Sequence, residues 1–179
     1  VLSAMRAAAL SRLPDPQAAL DLAAAIRAEV VERLPDLLEE FEKNAAANGA
    51  KVFWARDSQE ANRYIADLAV EKGVTCVTKG KSMVTEEMGL TEALEQRGIE
   101  VWETDLGEFI TQLLQLPPFH IVGPAINVSV ERIRDVFMER AGMTEPTTDP
   151  VQLGQAARKF LRDKFHRAEM GITGVNIAV

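Results

Sequence analysis

The chain has 179 residues, of which 47% are hydrophobic and 26% charged, a balance typical of one globular domain rather than of a disordered chain. Its 20 Lys and Arg residues against 27 Asp and Glu give a net charge of -7, which argues against a surface built for nucleic acid. The single cysteine, Cys76, cannot form an internal disulfide, so we expect a reducing, cytoplasmic setting. No apolar run approaches the roughly 20 residues of a membrane span, so no span is predicted.

The first 49 residues are predicted to form an N-terminal helical arm, and residues 50–179 the main domain. Within the arm, one helix is expected over residues 17–33, where Ala, Leu and Arg recur with helical spacing. Pro35 separates it from a second helix, which is expected to end at Gly49 because glycine readily adopts the left-handed conformation that closes a helix.

From Lys51 onward, short apolar runs alternate with amphipathic helical stretches. The four predicted strands cover residues 51–55, 74–78, 99–103 and 119–122. Helices are expected between and after them, several beginning at an acidic capping residue such as Asp57, Asp105 or Asp149. This alternation predicts βαβ units and therefore an α/β fold, with a mainly parallel sheet that helices cover on both faces.

The C-terminal end of the sequence is apolar. A glycine turn over residues 171–174 is predicted to lead into a β-prone run over residues 175–179. Because a strand at this position needs a neighbour to pair with, we expect the domain to be incomplete at its C-terminal end and to continue in a longer polypeptide.

The carboxyl ends of the predicted strands indicate where a ligand would bind, since parallel α/β sheets use the crevice outside those ends. The loops at this edge cover residues 79–82, 103–105 and 123–127. In the first loop, Lys79 and Lys81 flank Gly80, a pattern that favours a phosphate or carboxylate ligand. Ser82 then precedes a possible helix start. The alternative interpretation is a solvated turn in which Ser82 only caps that helix.

Six residues are therefore candidates for substrate or anion binding: Lys79, Gly80, Lys81, Ser82, Thr85 and Asn127. The catalytic candidates are Glu86 and Glu103, although an acidic residue in a first helical turn, such as Glu86, more often serves the helix dipole. Asp105 and Glu108 have the spacing of a helix cap and are interpreted as capping residues. No cluster of His and Cys with metal-ligand spacing occurs, so no metal site is predicted in this chain.

Four segments, in order along the chain, are similar to a known family. They are KGKSMVTEEMGL (79–90), IEVWETDLGE (99–108), HIVGPAI (120–126) and MGITGVN (170–176). In these segments the chain resembles the LUD domain of the lactate utilization protein B family, the iron–sulfur subunits of a bacterial L-lactate-oxidising system. The resemblance extends over nearly the whole sequence.

The resemblance implies a three-layer α/β domain similar to the ribose-5-phosphate isomerase and CoA-transferase group. It also implies a part in the oxidation of L-lactate to pyruvate, with companion lactate-utilisation subunits as partners and a small anion such as lactate as substrate. Full-length family members carry two [4Fe-4S] clusters in a cysteine-rich region that follows the LUD domain. Those cysteines are absent from this sequence, which is therefore expected to bind no cluster itself.

Three functional hypotheses are open at this point. The first is a LUD module that binds a substrate or a partner within a redox complex. The second is a free-standing enzyme of the isomerase or CoA-transferase type, in which a lysine of the 79–82 loop binds an anionic substrate and Glu86 or Glu103 acts as acid or base. The third is a purely structural assembly module whose loop lysines bind no ligand.

Overall fold

The computed structural model describes residues 2–119 and 123–174, and the chain divides into two units, Val1–Trp54 and Ala55–Val179. The first unit consists of the helices α1 (Leu2–Leu10), α2 (Pro16–Glu32) and α3 (Leu34–Ala47). Asp15 caps α2 by accepting a hydrogen bond from the backbone N–H of Ala18 at 2.9 Å. Helices α2 and α3 confirm the two helices predicted for the arm, whereas the sequence pattern does not predict α1.

Helices α2 and α3 bury none of their described residues, although both are rich in apolar side chains. Leu22, Val31 and Phe41, for example, are each more than half exposed. Burial of an apolar face supplies most of the stability of a helix in a folded protein. The first unit therefore contributes little to the hydrophobic core of the described chain.

The second unit alternates helices with short strands. In chain order its elements are α4 (Ser58–Glu71), β1 (Cys76–Lys79), α5 (Met83–Glu87), α6 (Leu90–Glu95), β2 (Glu100–Glu103), α7 (Leu106–Leu114), α8 (Val130–Arg140), α9 (Pro150–Arg167) and β3 (Met170–Ile172). Asp57 caps α4 by accepting a hydrogen bond from the backbone N–H of Glu60. Asp149 caps α9 in the same way, so both predicted start signals are confirmed.

The three strands form one parallel sheet in the order β2-β1-β3. Strand β1 lies at its centre, with Lys79 opposite Glu103 of β2 and Ile172 of β3. Strands β1 and β2 confirm the strands predicted near residues 74–78 and 99–103. The carboxyl ends of the strands meet at one edge of the sheet, where the 79–82 and 103–105 loops begin.

Helices pack on both faces of this sheet because successive side chains of a strand point to opposite sides. Val101 belongs to a cluster on one face, whose buried residues are Ala66, Ala69, Val74, Val77, Leu90, Leu94, Ile99 and Val101. Trp102 packs against a second cluster, whose buried residues are Phe109, Ile110, Leu113, Val136, Phe137, Ala141, Leu153, Ala157 and Leu161. Helices α4 and α6 thus cover one face and α7, α8 and α9 the other, which confirms the α/β fold.

The strand predicted over residues 51–55 is wrong. This segment is irregular, and Phe53 and Trp54 are about half exposed. A five-residue apolar run becomes a strand only where a neighbouring strand can pair with it. Here the run lies at the boundary between the two units rather than in the sheet.

The turn predicted from residue 171 is also wrong at its start, because Gly171 lies within strand β3. The pairing of Gly171 with Thr78 of the central strand decides its conformation, and a local glycine signal does not reveal that partner. Residues 120–122, most of the fourth predicted strand, and the run 175–179 lie outside the described residues. Across the described ranges, no helix combines the length and hydropathy needed to cross a membrane.

Candidate functional site

Lys79 is the centre of the site and is completely buried, with an exposed fraction of 0%. Its Nζ lies 2.7 Å from Oε1 of Glu86 and 2.7 Å from Oε1 of Glu103. A third hydrogen bond runs from Nζ to Oγ1 of Thr85 at 3.2 Å. An ammonium group has three N–H donors, so all of them have partners within the protein.

The sheet register explains why Lys79 meets Glu103. These two residues are direct partners at the carboxyl ends of the adjacent strands β1 and β2. Burial lowers the pKa of Lys79, but the hydrogen bonds and the charges of Glu103 and Glu86 outweigh that effect and raise the pKa overall. Lys79 is therefore a charged ammonium group inside the protein at neutral pH.

Helix α5 brings Thr85 and Glu86 to the same point. Ser82 caps this helix, because its Oγ accepts a hydrogen bond from the backbone N–H of Thr85 at 3.2 Å. Thr85 donates its own hydroxyl to the backbone carbonyl of Ser82 at 3.0 Å. Ser82 is a capping residue, as one interpretation of the sequence has it, but it is only 1% exposed and the turn is not a solvated one.

The chain segment after β3 closes over the capping serine. A Cβ atom built on Gly174 would lie 1.8 Å from Oγ of Ser82, so no side chain fits at position 174 without a shift. On the same side of the loop, the backbone N–H of Gly80 donates to the carbonyl of Ile172 at 2.8 Å. The segment that follows β1 is therefore in close contact with the C-terminal part of the described chain at two positions, Gly80 and Ser82.

Glu103 and Glu108 form a pair of buried carboxyl groups beside Lys79, each with an exposed fraction of 5%. Burial raises the pKa of Glu103 to about 8, Lys79 opposes this shift, and the nearby charge of Glu108 adds to it. Burial likewise raises the pKa of Glu108, and a hydrogen bond with Glu103 opposes that rise. Two carboxyl groups can share a hydrogen bond only while one of them is protonated. Because the pKa of Glu103 is about 8, the pair keeps the proton of Glu103 near neutral pH.

Sequence reasoning missed Glu108 as a member of this site. Asp105 is the capping residue of α7, as predicted, since its Oδ1 accepts from the backbone N–H groups of Gly107 and Glu108. The Glu108 side chain, by contrast, is buried next to Phe109 and Ile110. The sequence does contain one signal for this role: Glu108 stands next to the apolar residues Phe109 and Ile110 of a helix that begins shortly after the end of a strand.

A cavity of about 700 Å³ opens beside the carboxyl pair. Thirteen residues line it: Glu86, Glu87, Thr91, Glu92, Glu95, Glu103, Glu108, Thr111, Gln112, Gln115, Leu116, Pro117 and Pro118. The lining is strongly acidic, and the volume of the cavity falls in the range of small-molecule sites.

The remaining predicted residues lie at the exposed edge of the site. Lys81 is partly exposed, and its Nζ is 4.0 Å from Oδ1 of Asp105. Asn127 is exposed in the turn that precedes α8. That turn reaches the start of α7, because a Cβ on Gly107 would lie 2.9 Å from Cδ of Pro124. The structure thus joins Lys79, Ser82 and Thr85 to Glu86 and Glu103, and places Lys81 and Asn127 outside that group.

The residues of this chain do not fit an iron–sulfur cluster. A [4Fe-4S] cluster takes four thiolates, whereas Cys76 is the one cysteine of the sequence. Its side chain is buried in β1, and burial together with the charge of Glu100 raises the pKa of the thiol. Within residues 2–119 and 123–174, no three His, Cys, Asp or Glu side chains are grouped so that they could hold a metal ion.

Comparisons with known proteins identify relatives of this chain. A family model described as the LUD domain matches residues 38–179. The chain is 46% identical over 159 residues to "Lactate utilization protein B" of Geobacillus kaustophilus, a match covering 88% of the chain and 33% of that protein. It is 45% identical over 179 residues to "Lactate utilization protein B" of Bacillus licheniformis, covering 99% of the chain and 37% of that protein. The chain thus spans about a third of the length of these relatives, and no solved structure matches it significantly.

Proposed function

The chain belongs to the LUD-domain family, and we propose that it acts in the oxidation of L-lactate to pyruvate as the substrate- or partner-binding module of an iron–sulfur protein. The names of its relatives, which refer to lactate utilisation, support this role. Those relatives are about three times as long, so the clusters expected of full-length members would be held by residues outside this chain. Companion lactate-utilisation subunits are its proposed partners.

One observation carries this proposal: two of the segments that resemble the family meet in one site. Lys79, Thr85 and Glu86 come from the first segment, and Glu103 and Glu108 from the second. Residues separated in sequence converge on one buried ammonium group at the carboxyl edge of the sheet. In parallel α/β sheets this edge is where ligands bind.

A lactate ion offers a carboxylate and a neighbouring hydroxyl group. We place its carboxylate at the exposed edge of the site, where Lys81 supplies positive charge and Asn127 an amide. Lys79 acts indirectly, because its bonds to Glu86 and Glu103 fix the orientation of both carboxyl groups. Gly80, Ser82 and Thr85 hold the loop in which these lysines lie.

A chimaera tests this role directly. The matching part of the Bacillus licheniformis relative is replaced by this chain, and growth on L-lactate as carbon source is compared with that of the parent strain. We expect growth with the chimaera and loss of growth with Lys79→Ala, while Lys72→Ala, which changes an exposed lysine after α4, keeps it. Equal growth with and without an intact Lys79 in a stably produced chimaera would remove this site from lactate utilisation.

Binding is tested separately by calorimetry on the chain itself. L-lactate, pyruvate, phosphate and a CoA thioester are titrated into the parent and into Lys81→Ala. We expect L-lactate to bind and its affinity to fall about 5- to 150-fold in the variant, the range for loss of a charge-assisted hydrogen bond. Binding of a partner subunit without binding of lactate would instead favour the partner-binding form of the proposal.

The alternative is a free-standing enzyme of the isomerase or CoA-transferase type that acts on a small anionic substrate. Glu103 favours it, because a carboxyl group with a pKa of about 8 beside a cavity of about 700 Å³ is suited to acid–base catalysis. Turnover of a sugar phosphate or CoA thioester by the chain alone, abolished in Glu103→Gln, would support this alternative. A chain that turns over neither class of substrate would count against it.

A further inference from the structure

The cavity beside Glu103 and Glu108 is lined by negatively charged side chains, and the proposed binding of lactate, an anion, does not explain them. Six glutamates line it: Glu86, Glu87, Glu92, Glu95, Glu103 and Glu108. The described lining of the cavity contains no lysine or arginine. Lys79 is not part of this lining, and its three ammonium N–H groups donate to Glu86, Glu103 and Thr85. A cleft lined by one sign of charge concentrates ligands of the opposite sign. The cavity therefore selects a cation rather than an anion.

A second observation shows where such a cation would bind. Oε2 of Glu103 and Oε2 of Glu108 are buried and have no hydrogen-bond partner among the described donors. Both residues are 5% exposed and both line the cavity. The two side chains are close enough to interact. Buried carboxylate oxygens without donors are costly, so each of them needs a proton or a donor cation.

We propose that this cavity binds a small organic cation, a primary ammonium group on a short alkyl stem, whose N–H groups donate to Oε2 of Glu103 and Oε2 of Glu108. An ammonium group supplies donors to both oxygens once the proton of the pair has left. Leu116, Pro117 and Pro118 form an apolar part of the lining, against which the alkyl stem can pack. A metal ion fits less well, since the described side chains do not group three ligands at one point.

Binding exchanges a proton for the ligand. In the free protein the Glu103–Glu108 pair holds one proton, and the ligand ammonium takes its place between the two carboxylates. The released proton goes to the solvent, so charge and protons balance with no other reactant. Lys79 and Glu86 also act on this pair, and Asp105 acts on Glu108 from the start of α7. Because binding has to expel a proton, affinity is expected to increase as the pH rises towards about 8.

The inference does not depend on the lactate proposal. Lactate is an anion that we place at Lys81, on the exposed edge of the 79–82 loop, whereas the ammonium group is placed between two carboxylates of the cavity. Failure of either proposal leaves the other unaffected.

Calorimetry with n-butylammonium, n-butanol and butyrate tests the inference, because these three probes share one alkyl stem and differ in charge. Titration in buffers with different heats of ionisation counts the protons released. We expect n-butylammonium to bind with release of close to one proton at pH 7, at least fivefold tighter at pH 8.5 than at pH 6. Neither n-butanol nor butyrate should bind.

Two variants locate the site. Glu108→Gln should weaken n-butylammonium at least tenfold and abolish proton release, while Glu139→Gln, an exposed residue of α8, should leave both unchanged. If Glu108→Gln does not fold, the proton count and the neutral probe decide the matter on the parent protein. Absence of n-butylammonium binding at millimolar concentration, binding without proton release, or equal binding of n-butanol would overturn the inference.

Discussion

Lys79 and Lys81 stand two positions apart in the sequence, but their environments are opposite. Lys79 is 0% exposed and held by Glu86 and Glu103 at 2.7 Å each. Lys81 is partly exposed, and Asp105 lies 4.0 Å from its Nζ. The difference arises because Lys79 is the last residue of the central strand, whereas Lys81 belongs to the loop that leaves the sheet.

This comparison separates two roles that one loop sequence could not distinguish. A buried ammonium group whose N–H groups all donate to protein side chains fixes the orientation of those side chains, but it has no donor left for a ligand. A partly exposed ammonium group can approach a ligand at little cost in stability. Substitutions at the two lysines and around them should therefore differ strongly in their effect on stability.

Replacement of Lys79 should have the largest effect on stability. Lys79→Ala removes the buried counter-charge of Glu86 and of the negative charge that Glu103 and Glu108 share, and loss of one partner of a buried ion pair costs about 3–5 kcal/mol. Urea denaturation followed by circular dichroism measures the change in the free energy of unfolding. A loss below about 1 kcal/mol, the range of exposed pairs, would show that Lys79 is not held as described.

Stability should also fall as the pH rises, because Glu103 keeps in the folded state a proton that the unfolded chain releases. The pKa of Glu103 rises from 4.5 to about 8 on folding. Its contribution is therefore fully present below pH 4.5 and is lost as the pH rises to about 8, by an amount on the order of a few kcal/mol. Urea midpoints between pH 5 and 9 measure this slope, and Glu103→Gln should flatten it. A parent stability that increases with pH over this range, unchanged by the substitution, would contradict the assignment.

Gly174→Ala should lower the stability of the protein, because the new side chain would collide with the capping residue Ser82. The added Cβ would meet Oγ of Ser82 at 1.8 Å, and overpacking of this kind costs about 1–3 kcal/mol. Gly154→Ala is the matched control, because a Cβ there meets nothing within 4 Å and lies inside helix α9. We expect the control to be neutral or to stabilise by up to about 1 kcal/mol, as alanine does in a helix. Equal melting temperatures of the two variants would show that Gly174 does not press on Ser82.

Lys81→Ala should have the smallest effect on stability, about 0–1 kcal/mol, because the pair with Asp105 is long and partly exposed. The same urea denaturation measures it beside Lys79→Ala. A loss as large as that of Lys79→Ala would break the comparison and place Lys81 in the buried cluster.

Local signals in the sequence predicted most of the second unit. The capping residues Asp57, Asp105 and Asp149 act where they were expected, and two of the predicted strands form β1 and β2. These features depend on neighbours within a few positions, so a single sequence reveals them. The candidate loop was found for the same reason, since it follows directly from the end of a strand.

The environment of the candidate residues could not be predicted in this way. That Lys79 is buried depends on the register with Glu103, which lies 24 positions further along the chain. Glu108 has the spacing of a capping residue, and only the packing of α7 against the sheet shows that its carboxyl group is buried. Gly171 illustrates the same limit, because its partner strand, rather than its residue type, makes it part of β3.

The central claim is that Glu103 and Glu108 hold one proton between them beside a charged Lys79. Carbon-13 NMR of the glutamate carboxyl groups, followed from pH 4 to pH 10 and assigned with Glu103→Gln, tests it most directly. We expect a carboxyl signal that titrates at about pH 8 in the parent protein and is absent from the variant. Titration of every glutamate signal near its ordinary pKa of 4.5 would contradict the account.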